Sequence, residues 1–307
     1  MSRTFALLKL LLALLLAGTC PAGAQAAPTV AVVLSDRSST HLEMVDILRK
    51  SLDHGTATVM ILGWHELPQI PGDSRLIVAV GIRALEALAA IEPPAPVLAT
   101  LLTRPGFERI METRHGRRQF SAIYLDQSPE RQFKLLRLAL PDRRRVAILT
   151  GPESRPLTAL LTAAAGERGL HLVSEQVSGE SQIYPALQRS LGNADLLLAL
   201  PDPGIYNART ISDILLTAYR YKVPVIGFSP ATVRAGAVMG LYSSTAQIGA
   251  QTVDMAREVL AGRALPPPQY PGDYSISINA YVAHALNLKL DTESSLLKRL
   301  RQEDHRP

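Results

Sequence analysis

The sequence predicts an α/β protein with two Rossmann-like lobes, each built on a parallel sheet. Residues 196–200 and 223–228 are short apolar runs of the kind that form buried strands. Between these runs, apolar residues recur at helical spacing, at Ile211, Ile214, Leu215 and Ala218. The same alternation of strand and helix continues through about ten strands, which suits two sheets of five to six strands better than one.

The first 26 residues have the features of a secretory signal peptide. Arg3 and Lys9 form a basic N-terminal region, and residues 10–16 are almost all leucine and alanine. Ala24-Gln25-Ala26 offers a small-residue cleavage site. The single cysteine, Cys20, lies in this segment. Cleavage after Ala26 is favoured over lipidation of Cys20, because Thr19 is a poor residue directly before a modified cysteine. We therefore expect an exported, periplasmic chain with no disulfide.

The first lobe is expected to begin directly after the signal peptide. Its predicted strands are residues 29–34, 58–62, 76–80, 96–101 and 120–125, and its predicted helices are residues 40–52 and 81–90. Late elements appended after a second α/β block indicate that the chain crosses between the lobes more than once. The predicted N-terminal lobe is residues 27–123 plus 242–268.

The second lobe is predicted to comprise residues 124–241 plus 269–290. Its strands are expected at 146–150, 170–177, 196–200, 223–228 and 274–279. Its helices are expected at 129–139, 157–168, 183–191 and 280–288. A further helix is expected at 246–260, within the part of the chain assigned to the first lobe. Residues 266–268 are three prolines, which form a stiff extended connector. Residues 291–307 are charged and are expected to form a frayed tail.

Composition and motifs argue against several functions. Loss of the signal peptide removes two basic residues and lowers the formal charge from +5 to +3. This mild charge, without interleaved aromatic residues, does not suggest nucleic-acid binding. No phosphate-binding, dinucleotide-binding or zinc-protease motif is present in the sequence, and no two of the seven histidines are three or four residues apart. We predict no enzyme activity, no metal and no cofactor.

The candidate functional residues follow strands, because ligands of open α/β sheets bind at the carboxyl ends of the strands. Asp202 and Ser229 each follow a strand of the central unit. Asp202 is expected to accept an amino group or hydroxyls, and the alternative is that it caps the helix near Asn207. Ser35 and Ser39 follow the first strand and precede a helix, where they hold a carboxylate or only cap that helix.

Three further strand ends carry polar or glycine residues. Gly81 and Ile82 begin a helix, and a glycine there allows close approach of the backbone. Thr103 follows the next strand, and Thr150-Gly151 follows the first strand of the second lobe, where it mirrors the Ser35 loop. We expect these residues to face the same cleft.

Residues 223–288 resemble the exported ABC-type substrate-binding family that contains tryptophan- and tyrosine-binding lipoproteins. The resemblance is in the order of the parts: strand 224–228, V-x-x-G-A at 233–237, a helix centred on Gly249, and a closing strand to Asn279. It covers residues 121–288 well and the first lobe more loosely. Two departures are a short segment at 64–74 and Gly81-Ile82-Arg83 in place of the usual Thr-Pro-Ala.

The resemblance implies the type I periplasmic-binding-protein fold, with a multi-crossing hinge and a cleft between the lobes. It also implies that ligand contacts come from Ser35, Ser39, Gly81, Ile82, Thr103, Thr150, Gly151, Asp202, Ser229 and Tyr242. The expected function is to close on a small solute, such as an amino acid, and deliver it to an ABC importer permease, as a monomer. The alternatives are a sensor subunit of the same fold that signals to a membrane partner and an exported α/β hydrolase.

Overall fold

The structure is a computed structural model that describes residues 27–53, 56–112 and 119–304. The predicted signal peptide, including Cys20, lies outside the described residues. The described chain forms two sheets, one of five strands and one of six, as the sequence predicts. No described helix is long and apolar enough to span a membrane.

The first lobe is built on a five-stranded parallel sheet with the order β2-β1-β3-β4-β5. Its strands are β1 (Thr29–Leu34), β2 (Thr58–Gly63), β3 (Leu76–Val80), β4 (Val97–Leu102) and β5 (Phe120–Tyr124). Its helices are α1 (Ser39–Leu52), α2 (Ile82–Ala89), α3 (Arg104–Glu112) and, from later in the chain, α9 (Thr245–Leu260). Strands β1, β3, β4 and β5 are almost wholly buried, as helices on both faces of a parallel sheet require, whereas the edge strand β2 is only partly buried.

The second lobe repeats this topology in the order β11-β10-β9-β8-β6-β7. Its strands are β6 (Arg145–Thr150), β7 (His171–Gln176), β8 (Leu196–Leu198), β9 (Val225–Gly227), β10 (Met239–Tyr242) and β11 (Ser275–Ile278). Its helices are α4 (Pro129–Ala139), α5 (Thr158–Gly166), α6 (Ile183–Leu191), α7 (Ile211–Arg220), α8 (Pro230–Ala235), α10 (Ala280–Ala285) and α11 (Glu293–Asp304). In both sheets the second strand in chain order is at the edge and the first lies beside it, the doubly wound arrangement of flavodoxin-like folds.

The chain passes between the lobes three times. It leaves β5 through residues 125–128, leaves β10 through residues 243–244, and enters β11 through residues 271–274. Before the third passage, Gln269 pairs with Ile123 of β5, and Tyr270 packs against the hydrophobic core of the first lobe. The first lobe therefore extends to residue 270, two residues beyond the predicted boundary at residue 268. Three connections near one point form the predicted multi-crossing hinge.

Three features differ from the sequence-based expectation. Helix α3 was not expected, although Phe107, Ile110 and Met111 have helical spacing and are buried. Strand β11 is antiparallel to β10, because the chain re-enters the second lobe from the hinge end of the sheet. The expected frayed tail is wrong for residues 293–304, which form α11 and bury Leu296 and Leu300 completely.

Candidate ligand-binding site

The hinge is held together by side chains that join its three passages. Gln127 Nε2, in the first passage, donates to Ser243 Oγ in the second at 2.8 Å. Ser243 Oγ donates in turn to the carbonyl oxygen of Asp273, in the third, at 2.6 Å. Gln127 and Ser243 are almost fully buried. These hydrogen bonds fix the relative positions of the three segments about which the lobes can rotate.

A cavity of about 140 Å³ lies beside this hinge, at the carboxyl end of the second sheet. Residues that follow β8, β9 and β10 form one wall, and the first passage with α4 forms the other. The lining residues are Leu125, Asp126, Gln127, Gln132, Pro201, Phe228, Ser229, Pro230, Leu241, Tyr242 and Ser243. This is the position at which open α/β sheets bind ligands, and a mostly apolar lining with a few polar groups is typical of small-molecule sites.

Asp126 places a buried carboxyl group in this lining. Its Oδ1 accepts a hydrogen bond of 2.8 Å from the backbone N–H of Arg104, the first residue of α3. Burial raises the pKa of Asp126 to about 6, although the Arg104 N–H opposes that rise. Asp126 is therefore mostly ionised at neutral pH, and it ties the first turn of α3 to the hinge.

Gln132 on α4 contributes a buried acceptor that has no partner. Its Nε2 donates to the carbonyl oxygen of Gln127 at 3.1 Å, which fixes the orientation of the amide, since a flipped group would place two oxygens together. Its Oε1 is buried and receives no hydrogen bond from any described residue. Because this oxygen itself has almost no accessible surface, a solute in the cavity does not contact it.

Ser229 and Tyr242 are the two predicted site residues that line this cavity. Ser229 caps α8, accepting from Thr232 N at 3.2 Å, and its half-buried hydroxyl lies at the cavity wall. The Tyr242 hydroxyl shares a 2.8 Å hydrogen bond with Ser277 Oγ, which anchors the ring from the β11 side. Their contact with a ligand stays a prediction.

Asp202 does not have the exposed position expected of it. Its side chain is 1% exposed, and Oδ2 accepts hydrogen bonds from Gly151 N, Ser154 N and Ser154 Oγ. Its Oδ1 accepts from Gly204 N at 3.0 Å. The carboxylate thus joins the loop after β6 to the loop after β8, which makes it a structural group within the second lobe.

Thr150 and Gly151 belong to the same joint between loops. Thr150 is fully buried, and its hydroxyl donates to the carbonyl oxygen of Glu175 at 3.5 Å. A Cβ atom at Gly151 would lie 2.6 Å from Asp202 Oδ2, so only glycine fits against the carboxylate. Neither residue lines the hinge cavity.

In the first lobe, Ser35 and Gly81 organise the start of α2. Ser35 Oγ accepts from Ala84 N at 2.9 Å, so it caps α2 rather than the helix that follows it in sequence. Gly81 has φ +86°, a conformation that favours glycine, and a Cβ there would lie 2.7 Å from Ser35 Oγ. Ile82 is half-buried against the first core, and Ser39 is exposed at the start of α1. These four residues lie outside the hinge cavity.

Thr103 is the predicted residue that connects the lobes. Its hydroxyl donates to Glu153 Oε1, in the loop after β6, at 2.5 Å, and it also accepts from Gly106 N. This contact joins the carboxyl edge of the first sheet to that of the second. It therefore holds the cleft narrow at a point away from the hinge.

Two similar α/β lobes, three hinge connections and a cavity beside the hinge, at the carboxyl end of the second sheet, define a two-lobed solute-binding protein of the type I periplasmic-binding-protein fold. A model of the family described as ABC transporter substrate binding protein matches residues 69–300. The chain belongs to this family, whose members bind small ligands, work with ABC transporters and are not enzymes. No curated protein matches the sequence.

Solved structures confirm the fold. A conserved domain protein from Vibrio cholerae is 20% identical with a TM-score of 0.63, over 89% of this chain and 98% of that one. An ABC domain in complex with L-Trp from Streptococcus pneumonia is 16% identical with a TM-score of 0.62, over 89% and 98%. A ligand-free, open substrate-binding protein with adhesive properties from Clostridium difficile is 16% identical with a TM-score of 0.68, over 87% and 97%.

Proposed function

We propose that this protein is exported, binds one small solute in the hinge cavity and delivers it to the permease of an ABC importer. The observation that carries the proposal is the cavity itself. It combines a mostly apolar lining with the buried carboxyl group of Asp126, beside the three passages about which the lobes rotate.

Closure of the two lobes would supply most of the affinity for the solute, and the closed form would be the one that the importer recognises. The Thr103–Glu153 hydrogen bond shows that the sheet edges can approach within bonding distance. A ligand in the hinge cavity would favour this narrow form by binding it more tightly than the open form. Water excluded by closure strengthens each polar contact inside.

A binding assay with a blocked cavity tests the proposal. Leu125 lines the cavity but is 39% exposed, so Leu125→Trp should fill the opening without disturbing the core. Small-molecule libraries should contain compounds that raise the melting temperature of the wild type and leave that of Leu125→Trp unchanged. Scattering with such a compound should show a smaller radius of gyration. A library without any such compound, or an unchanged radius at saturation, would contradict the proposal.

Export is part of the same proposal and has a separate test. Cleavage after Ala26 gives a mature chain that begins at Ala27. Intact-mass analysis of the protein recovered from the periplasm should give this mass without a lipid. An acylated chain that begins at Cys20 would show a lipoprotein instead.

A further inference from the structure

The polar groups of the hinge cavity differ in kind from those that recognise a carboxylate. Its buried carboxylate, Asp126, has one oxygen bonded to Arg104 N, and an ionised carboxylate can only accept hydrogen bonds. None of the described residues that line the cavity is Lys, Arg or His.

The two arginines nearest to this wall are occupied elsewhere. Arg104 directs its guanidinium to Glu108 at 2.7 Å and to the Tyr270 hydroxyl at 3.0 Å. Arg131 bonds to Asp304, to Gln127 Oε1 and to the carbonyl oxygen of Pro271. A ligand carboxylate in the cavity would therefore meet the negative charge of Asp126 without a guanidinium free to bond to it.

The lining also contains aromatic rings suited to a cation. Phe228 and Tyr242 both border the cavity, and the face of an aromatic ring attracts an ammonium group. A volume of about 140 Å³ is smaller than most drug-sized pockets and holds a solute the size of roughly five water molecules, at about 30 Å³ each.

We propose that the ligand of the hinge cavity is a small protonated amine, whose ammonium group is held by the Asp126 carboxylate. This inference rests on the proposed function, since it names the class of solute that the same site binds. The ammonium group donates to the carboxylate oxygen of Asp126 that does not bond to Arg104 N. The apolar part of the amine contacts Leu125, Leu241 and Phe228.

Binding of this kind depends on pH in a defined direction. The charged and titratable groups around Asp126 are Arg104 and Glu108 on α3, Tyr124 at the end of β5 and Tyr270 in the segment beside it. Burial raises the pKa of Asp126 to about 6, so protonation competes with the amine below that pH. Affinity for an amine should be nearly constant from pH 7 to 8 and fall about tenfold for each pH unit below 6.

The experiment uses matched probes: a panel of small primary amines, each with the alcohol and the carboxylic acid of the same carbon skeleton. Calorimetry on the mature protein should detect the amines, with alcohols and acids at least tenfold weaker. Asp126→Asn, which keeps an oxygen for Arg104 N but loses the charge, should weaken amine binding at least tenfold. Asp142→Asn, on an exposed loop, should not change it.

The outcomes separate this inference from the proposed function. Suppose that acids or alcohols bind to the wild type, compete with one another and do not bind to Leu125→Trp, while amines do not bind at all. The proposed ligand class is then wrong, but solute binding in the cavity stands. If no compound in the panel or in a broader library binds, both fall. Amine affinity that is unchanged in Asp126→Asn, or that does not fall below pH 6, would also overturn the inference. Thermal melts of each ligand-free variant establish that it is folded.

Discussion

Replacement of Asp202 provides a sharp test of how the second lobe is built. The carboxylate is 1% exposed and accepts four hydrogen bonds, three of them on Oδ2. In Asp202→Ala, Gly151 N keeps its second partner, Ser154 Oγ, at 3.0 Å. The backbone N–H of Ser154, a residue 3% exposed, loses its acceptor and stays buried.

The expected cost follows from these groups. A buried donor left without a partner costs about 1–3 kcal/mol, and loss of hydrogen bonds to a charged group adds to this. We therefore expect Asp202→Ala to lower the free energy of unfolding by about 3–5 kcal/mol. Asp202→Asn keeps one acceptor oxygen but places an NH₂ group opposite N–H or O–H donors, so about 1–3 kcal/mol is expected.

Urea unfolding followed by circular dichroism measures both variants, with Asp142→Ala on an exposed loop as the control. The m-value should stay close to that of the wild type, because the surface exposed on unfolding is unchanged. A loss below about 0.5 kcal/mol in Asp202→Ala would refute the structural role. An intact stability together with lost ligand binding would restore Asp202 as a ligand contact.

Three further predictions concern other parts of the molecule. Asp126→Asn should raise the free energy of unfolding at pH 8 by on the order of 2 kcal/mol. The folded-state pKa of Asp126, about 6, lies above its unfolded value, so the wild type loses stability as the pH rises from about 4 to 6 and the variant does not. Equal dependence of the unfolding free energy on pH in the variant and the wild type would contradict this. Leu300→Ala should cost about 2–5 kcal/mol in urea unfolding, since the side chain is fully buried, whereas a frayed tail would give none. Thr103→Val removes the hydrogen bond to Glu153 and should weaken solute binding by about 0.5–1.5 kcal/mol in calorimetry, with unchanged affinity as the contrary result.

The sequence predicted the α/β class and the two sheets because strand and helix periodicity are local properties. Apolar runs and helical spacing are read directly from neighbouring residues. Helix α3 was missed because Pro105 and Gly106 lie in its first turn, where they resemble a loop signal, although proline is well tolerated there. The packing of α11 could not be predicted, since Leu296 and Leu300 find their partners on α4 and in the second core, far away in sequence.

The candidate site was predicted less completely than the fold. Ser229 and Tyr242 were placed at the cavity, but Asp126 and Gln132 were not singled out. Asp126 follows the apolar strand β5 just as Asp202 follows β8, so the local signal was the same for both carboxylates. The two carboxylates differ in the number of hydrogen-bond donors that surround them in the folded chain. That number depends on contacts between residues far apart in sequence, such as Ser154 and Asp202.

Native mass spectrometry of the mature protein, purified without unfolding, tests the central claim most directly. The claim is that one small solute occupies the hinge cavity. The wild type should carry a single, stoichiometric small-molecule adduct after incubation with the metabolite extract of the cell, and Leu125→Trp, treated in the same way, should carry none. An unmodified wild-type mass in every extract, or an adduct retained equally by Leu125→Trp, would contradict the account.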